Sequence, residues 1–187
     1  MTVSLFICTA YAAYYELNVP RYRQEKSMWC WATAAKMAGD FVYSPTFSQS
    51  EIVEHVKGEI VNEAGTISET AEAMELATSW VKHASYTAKG KPWSFQNFML
   101  SIDNQRPVVP LVNDGTSGHY YTVCGYDKSR ERLALINPGD GARYTCAWED
   151  FNSGDKSSGW IDDRPHRYTC YFTDWSMMRK QREGETS

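Results

Sequence analysis

The chain has 187 residues, which suits one domain and is enough to bury roughly two thirds of the surface that the unfolded chain would expose. Hydrophobic residues make up 42% and charged residues 22%, as in ordinary globular proteins, while the aromatic share of 14% is high. The net charge of −4 and the sequence pI near 5.6 exclude a global positive field that would hold nucleic acid or an anionic membrane. No stretch approaches the roughly 18 apolar residues of a membrane span, so we expect none.

The chain begins with residues 1–15, which are fairly apolar but lack a preceding basic residue and so make a poor secretory signal. Their weak alternation leaves open an added strand, an artificial extension or a segment read by a secretion system. We expect a single domain over residues 16–175 and a flexible tail over residues 176–187.

Helices are predicted in the first half of the chain, after an extended segment over residues 16–24. The central helix has a buried stripe rich in alanine, and two later helices begin with capping boxes in which Ser or Thr precedes Glu by three residues. The predicted helices are Ser27 to about Phe41, one after Ser48 and Glu51, one after Thr66 and Glu69, and Ser94 to Asp103.

Strands are predicted after Arg106, where the hydrophobic period changes. The polar loop over residues 152–163 is expected to lie outside the core. Helices followed by strands indicate an α+β fold, with the central helix packed on a mostly antiparallel sheet. The predicted strands are Pro107–Val112, His119–Tyr126, Leu133–Asn137, Ala142–Trp148 and Arg167–Phe172.

Five cysteines lie at positions 8, 30, 124, 146 and 170, without a Cys-x-x-Cys pair or the spacing of a zinc site. We therefore expect no metal and no other cofactor. The odd count leaves one thiol unpaired. Whether Cys8, Cys124, Cys146 and Cys170 form disulfides stays open from the sequence.

Cys30 is the candidate nucleophile. It lies between Trp29 and Trp31, just before an alanine-rich run, which places it at the start of the central helix. Unpaired backbone amides and the helix dipole favour an anion there, so we expect the thiol to ionise below its ordinary pKa of about 8.5. The alternative for any single cysteine is a buried structural role. This alternative becomes less favoured only if the sequence also contains catalytic partners for the thiol.

His119 and Asn137 are the candidate partners. His119 opens one predicted strand and Asn137 ends the next, so a hairpin would bring them together; if Cys30 faces the same end, nucleophile, base and orienting group converge. His119 would take the thiol proton, hold a thiolate–imidazolium pair at neutral pH and protonate the leaving amine, while Asn137 would orient the ring without adding charge. Asp140 could orient His119 instead, but its glycine-rich turn favours a role as turn former.

Gln24, six residues before Cys30, is the candidate oxyanion donor, together with the backbone amide of Cys30. Weaker candidates for a substrate groove are Trp29, Trp31 and Gly118. The tryptophans would suit a constricted groove, and Trp31 could shield the contact between the histidine and the asparagine. The glycine would leave room for a substrate backbone, or it is a turn residue only. For any single tryptophan, core packing is the favoured explanation.

The remaining histidines are weaker candidates for catalysis. His55 lies in an amphipathic helix, His83 at a helix end, and His166 beside Pro165 in a polar loop. We expect each of them to be solvated or structural. Cys124, on the His119 strand, is expected in the core.

Three motifs occur in combination: Gln24 ahead of Cys30-Trp31-Ala32, Gly118-His119 at a strand start, and Ile136-Asn137-Pro138. Together they resemble the compact bacterial papain-like cysteine proteases over roughly Val19 to Asn152. The peptidase domains of bacteriocin-processing transporters and the avirulence-type cysteine protease effectors of plant pathogens look most similar. The numbers of residues that separate Cys30 from His119 and from Asn137 are smaller than the roughly 130 to 150 of plant papain. In addition, Asn137 stands where many compact members carry Asp.

This resemblance implies a cysteine endopeptidase acting on a protein or peptide substrate, with Cys30, His119 and Asn137 as catalytic residues and Gln24 in the oxyanion hole. Because no inhibitory propeptide is recognised, the resemblance also implies a secreted effector or toxin. Such a protein would be made in the bacterial cytoplasm and delivered outside or into a target cell, and a cognate immunity protein would restrain it. Transporter peptidase domains cut after paired glycines, so a preference for Gly-Gly or other small residues is expected.

Two alternatives stay open. The same thiol chemistry on a protein glutamine would make a deamidase or transglutaminase, which would modify or crosslink its target without cutting it. The second alternative is a papain-like binding module without catalytic activity, because a fold does not guarantee a function. Its Cys30 would react with an alkylating probe no faster than the other thiols.

Overall fold

The computed structural model describes residues 13–43, 47–88, 92–155, 162 and 164–173. Cys8 and the predicted tail over residues 176–187 lie outside these ranges. The helices are α1 (Cys30–Val42), α2 (Gln49–Lys57), α3 (Ile67–Ala77), α4 (Phe95–Asp103) and α5 (Trp148–Ser153). The strands are β1 (Tyr14–Glu16), β2 (His83–Tyr86), β3 (Val109–Asn113), β4 (Gly118–Tyr120), β5 (Thr122–Asp127), β6 (Arg132–Ile136), β7 (Arg143–Ala147) and β8 (His166–Thr173).

The helices begin largely where the sequence predicts. Both capping boxes are present: Ser48 accepts from the Glu51 backbone and Thr66 from the Glu69 backbone, and each glutamate side chain accepts in return. The helix α1 is the exception, because it begins at Cys30 rather than Ser27 and has no side-chain cap.

The strands form two sheets rather than the single sheet that the sequence predicts. Their orders are β1-β5-β6-β7 and β2-β8-β3-β4, and the neighbouring strands are antiparallel. The strand β2 and the helix α5 were not predicted. The mixed α+β class is confirmed, with most strands in the second half of the chain.

Tyr121 marks the point where the chain passes from one sheet to the other. The predicted strand from His119 to Tyr126 is split there into β4 of the second sheet and β5 of the first. The predicted hairpin exists and pairs Thr122 with Ile136. Asn137 therefore follows directly after the last pair of this hairpin, at the level of the crossover that carries His119.

The helix α1 is buried between two hydrophobic clusters. Met37 packs in the cluster of the first sheet, whereas Ala34, Ala35 and Ala38 pack in the cluster that contains α2 and α3. The Thr122 hydroxyl also donates to the Ala34 carbonyl over 3.1 Å, which ties the middle of the helix to the start of β5. These contacts fix the N-terminus of α1 relative to both sheets.

The cysteines of the described residues are free thiols, so none of the disulfides left open by the sequence forms among them. Cys124, Cys146 and Cys170 are buried, and Cys124 lies in the core as predicted. Among the helices described, none is long and apolar enough to cross a membrane.

Candidate active site

Cys30 opens α1 and is partly exposed, with Tyr120 of β4 in the cluster against which it packs. Burial raises the pKa of its thiol, while the backbone amides of Tyr120 and Trp31 and the charge of Arg164 lower it by less. The helix start therefore assists ionisation, as predicted, but it does not bring the pKa below its ordinary value. The cost of taking a thiolate out of water is larger here than the benefit of the amides.

The hydrogen bonds of Asn137 settle which nitrogen of His119 carries the proton. Asn137 Oδ1 accepts from the backbone N–H of Gly139 over 2.9 Å, and a backbone N–H can only donate. The same oxygen lies 2.7 Å from His119 Nε2, which must therefore donate to it. Nδ1 of this neutral ring keeps its lone pair and is the nitrogen able to accept a proton.

The environment of His119 favours the neutral ring. Burial lowers the pKa of the imidazole and outweighs the bond to Asn137, which raises it; Arg164 also lowers this pKa, and the carboxylates of Asp162 and Asp140 raise it. Together with the raised pKa of Cys30, these shifts favour a neutral thiol and a neutral imidazole at rest. This differs from the thiolate–imidazolium pair that the sequence predicts.

Asp140 holds the turn after β6 rather than the imidazole. Its carboxylate accepts from the backbone N–H of Ala142 at 2.8 Å and from the hydroxyl of Tyr144 at 2.6 Å. Its influence on His119 is purely that of a nearby charge. The hydrogen bond to the imidazole is made by Asn137, the partner that the sequence favours.

Gln24 is linked to the same turn, because its backbone N–H donates to the Pro138 carbonyl over 2.7 Å. Its side-chain Nε2 donates to the carbonyls of Lys26 and Ser27 at 2.9 and 2.7 Å, and these two acceptors fix the orientation of the amide. A role as oxyanion donor requires the amide to exchange at least one of these carbonyls for the substrate. A hollow of about 600 Å³ beside it is lined by Arg23, Gln24, Glu25, Lys26, Ser27 and Gly139.

Trp29 and Trp31 do not line a groove, because their side chains are 1% and 0% exposed. Their indole nitrogens donate to the carbonyls of Val61 and Glu63 at 2.7 and 3.0 Å. The backbone of Gly65 lies so close to the Trp31 ring that an added Cβ would come within 2.4 Å of it. The tryptophans thus fix a chain segment beside Cys30 and would reach a substrate only through that segment.

Gly118 is exposed, but its lack of a side chain has a packing reason. A Cβ there would lie 2.9 Å from the Asn113 amide and 3.0 Å from the side chain of Leu111. Contact with a substrate stays a prediction for this residue.

The sequence gives little sign of Tyr121, which contacts His119, or of Asp162 and Arg164, which are linked to Tyr121 by hydrogen bonds. The Tyr121 ring meets the His119 ring edge to face with centroids 4.8 Å apart, and the Tyr121 hydroxyl donates to Asp162 over 2.8 Å. Asp162, only 3% exposed, is in turn held by Arg164. The one signal in the sequence was the two-residue spacing from His119 to Tyr121, which places both on one side of an extended chain.

The other histidines take no part in this arrangement. His55 and His83 pair with Glu72 and Glu75 at 3.9 and 3.2 Å, in keeping with solvated or structural roles. The placement of His166 in a polar loop was wrong: it opens β8, is 1% exposed and is enclosed by aromatic rings. Its role is nevertheless structural.

Comparison with known proteins places this chain in a family. The model of the Peptidase_C39 like family matches residues 16–157, which is more than half of the chain. This match supports the papain-like cysteine peptidase class that the sequence predicts. It belongs to the Peptidase_C39 like family.

Among solved structures, the chain is similar to the crystal structure of UfSP from C. elegans, with a TM-score of 0.48 and 12% sequence identity. The alignment covers 84% of this chain and 33% of that chain, so this chain spans about a third of its length. No curated protein sequence gives a significant match.

Proposed function

We propose that the chain is a cysteine endopeptidase that uses Cys30, His119 and Asn137, with Gln24 and the Cys30 backbone amide as oxyanion donors. The observation that carries this proposal is the 2.7 Å bond between His119 Nε2 and Asn137 Oδ1. It leaves Nδ1 as a base on the residue next to Tyr120, and the backbone amide of Tyr120 acts on the Cys30 thiol.

The reaction starts from the neutral pair. As the Cys30 sulfur attacks the peptide carbonyl carbon, its proton passes to His119 Nδ1, and the carbonyl oxygen becomes the oxyanion. The C–N bond then breaks, and the leaving amine takes the proton from the imidazolium, which leaves a thioester on the sulfur. Water gives one proton to Nδ1 as it attacks the thioester carbon. The C–S bond then breaks and the sulfur takes that proton back, so that the acid product leaves and the thiol is restored.

The proposed setting rests on the motif resemblance described above. It is that of a bacterial secreted effector or toxin, made in the cytoplasm and delivered outside or into a target cell, with its peptidase domain over residues 16–175. A cognate immunity protein would restrain it. The likeness to peptidase domains that cut after paired glycines supports a preference for Gly-Gly or other small residues.

Expression in a bacterial cytoplasm tests function and target together. Wild type is expected to slow growth and to produce new protein N-termini, detectable by mass spectrometry, that are absent with Cys30→Ala. Asn137→Ala is expected to lower the cleavage rate about 10²-fold, because the imidazole loses its fixed orientation. The control is His55→Gln, which changes a half-exposed histidine and should cleave like wild type.

The alternative functions would give different results in this experiment. Cleavage by Cys30→Ala would overturn the proposal. Modified or crosslinked glutamines without new N-termini would identify a deamidase or transglutaminase. An absence of both, with Cys30 labelled by iodoacetamide no faster than the buried thiols, would identify an idle binding module.

A further inference from the structure

Gln49, the first residue of α2, is a buried glutamine whose side chain bonds the main chain on both sides of Gln24. It is only 4% exposed. Its Nε2 donates to the Arg23 carbonyl over 2.8 Å, and its Oε1 accepts from the backbone N–H of Glu25 over 3.0 Å. One side-chain amide therefore holds the two residues that flank the proposed oxyanion donor.

These two neighbours fix the orientation of the Gln49 amide. The Arg23 carbonyl can only accept a hydrogen bond and the Glu25 N–H can only donate one, so exchanging the amide nitrogen and oxygen would break both bonds. Leaving buried polar groups without partners costs their full desolvation penalty. Gln49 thus holds both residues in a single arrangement.

Thr33 joins this contact to the helix that carries the proposed nucleophile. It lies in α1, three residues after Cys30, and is fully buried. Its hydroxyl is 2.7 Å from Gln49 Oε1 and 2.9 Å from the Trp29 carbonyl, and either oxygen can accept its proton. Gln49 therefore links the first turn of α1 to the main chain around Gln24.

The main chain at Gln24 is held from two directions. Its own backbone N–H donates to the Pro138 carbonyl over 2.7 Å, while Gln49 holds the residues on either side. The movement that would take Gln24 Nε2 from its two carbonyl acceptors to a substrate is then confined to the side-chain torsions of Gln24. A donor held close to its working position is what stabilisation of an oxyanion requires.

We propose that Gln49 is a further positioning residue of the active site, which sets the place of Gln24 relative to Cys30 by bonding Arg23, Glu25 and Thr33. The proposal rests on the proposed roles of Gln24 as oxyanion donor and of Cys30 as nucleophile. It predicts that Gln49 affects a step in which an oxyanion forms, and that it does so only through Gln24.

Acylation by p-nitrophenyl acetate probes such a step without the natural substrate. Cys30 takes the acetyl group as a thioester through an oxyanion, and p-nitrophenol leaves with the thiol proton. The release of p-nitrophenol above that of Cys30→Ala gives the acylation rate. Iodoacetamide alkylates the same sulfur without forming an oxyanion, and mass spectrometry of the peptide that contains Cys30 gives the alkylation rate.

Gln49→Met keeps the length of the side chain and removes its hydrogen bonds. We expect the ratio of the acylation rate to the alkylation rate to fall about tenfold, because a displaced donor stabilises the oxyanion less. In a Gln24→Ala background, which lacks the donor, the same substitution should lower this ratio no further. The matched control Gln96→Met changes an exposed glutamine of α4 and should keep the wild-type ratio.

Folding is checked in the same samples, because labelling of the buried thiols Cys124, Cys146 and Cys170 requires the chain to open. If Gln49→Met exposes them, Thr33→Val takes its place, since it removes only the hydroxyl through which α1 bonds Gln49. It should lower the ratio about threefold when Gln24 is present and leave it unchanged in Gln24→Ala.

The outcomes separate this inference from the proposed function. An unchanged ratio in the folded variant, or an equal fall with and without Gln24, overturns the role of Gln49. If Gln24→Ala alone keeps the wild-type ratio, Gln24 is not the oxyanion donor, and the positioning role falls with it. If iodoacetamide labels Cys30 of wild type no faster than the buried thiols, the proposed nucleophile is wrong instead. A fall in the ratio that requires Gln24 supports both proposals.

Discussion

The residue that shows most clearly what burial does in this chain is His166. Its ring centroid lies 5.5, 6.1 and 5.0 Å from those of Phe98, Trp148 and Phe151. Its Nε2 lies 2.9 Å from the Thr169 hydroxyl. Burial lowers the pKa of this imidazole from 6.5 to about 3, because a charged ring would be removed from water with few polar partners.

This shift predicts how stability depends on pH. The unfolded chain binds a proton at His166 below its ordinary pKa of 6.5, whereas the folded protein does so only near 3. The free energy of unfolding contributed by this residue is therefore fully present above pH 6.5 and falls by up to about 1.4 kcal/mol per pH unit as the pH is lowered toward 3. Urea unfolding at several pH values measures it.

The variant His166→Phe keeps an aromatic ring in the cage but removes the titrating group. We expect its free energy of unfolding to fall less steeply between pH 6 and pH 4 than that of wild type. Equal slopes in wild type and His166→Phe would show that another group controls acid stability.

Single residues also show the limits of the sequence. Cys30, His119 and Asn137 could be proposed from the sequence because each belongs to a local pattern: a helix start, a strand start and a strand end. The charge states of Cys30 and His119 could not be predicted in this way. The pKa of each depends on burial and on Arg164, which lies far along the chain. A pKa is set by neighbours in space, and these have no local signature.

At the scale of elements, α1 and α3 approach each other so closely that only glycine fits at one contact. A Cβ at Gly39 would lie 2.3 Å from the Cβ of Ala77. This contact lies about two and a half turns along α1 from Cys30. The spacing of the two helices therefore helps to set where the thiol lies.

Gly39→Ala is expected to destabilise the protein, although the same change in a free helix would stabilise it by about 1 kcal/mol. The overlap with Ala77 should cost about 1 to 3 kcal/mol in the free energy of unfolding. The double variant Gly39→Ala/Ala77→Gly removes the clashing methyl group and should recover part of that loss. A stabilised single variant, measured by urea unfolding, would show that the helices separate easily.

Elements with local signals were predicted well. The capping boxes of α2 and α3 are written in a few adjacent residues, and both were found. The strand β2 was missed because its four residues become a strand only by pairing with β8, more than eighty residues later. The break at Tyr121 was missed for a similar reason, since each half of the continuous β pattern finds partners in a different sheet.

On the scale of the whole molecule, two hydrophobic clusters are joined by α1 and by the crossover at Tyr121. The first contains Cys124 and Cys146, and the second contains Cys170. Because the helix contributes side chains to both, neither cluster keeps its core if the other opens. The family assignment fits this picture, since its matched span of 16–157 takes in both clusters apart from β8.

We therefore expect the two clusters to unfold together. Mass spectrometry of thiol labelling at increasing urea concentration should give one midpoint for Cys146 and Cys170, which report on different clusters. Circular dichroism should give the same midpoint. A lower midpoint for one of the two cysteines would mean that the corresponding half of the molecule opens first.

The fold class could be predicted from the change of hydrophobic period near Arg106, because that change concerns whole segments. The division into two sheets could not, since sheet membership depends on pairing between distant strands. The candidate site could be predicted in part. Its three proposed catalytic residues stand in recognisable motifs, whereas Tyr121, Asp162 and Arg164 meet only through the crossover and the approach of a polar segment.

The cysteine sulfur atoms differ in exposure, and this difference determines which of them reacts first with an oxidant. Cys30 is partly accessible, while the other three thiols of the described residues are enclosed. Peroxide diffusing from outside thus reaches the sulfur at the helix start first, and the resulting sulfenic acid can be reversed by thiol reductants. Under oxidative stress the chain would lose the thiol of its proposed nucleophile while the buried thiols stay reduced, and a reducing environment would restore that thiol.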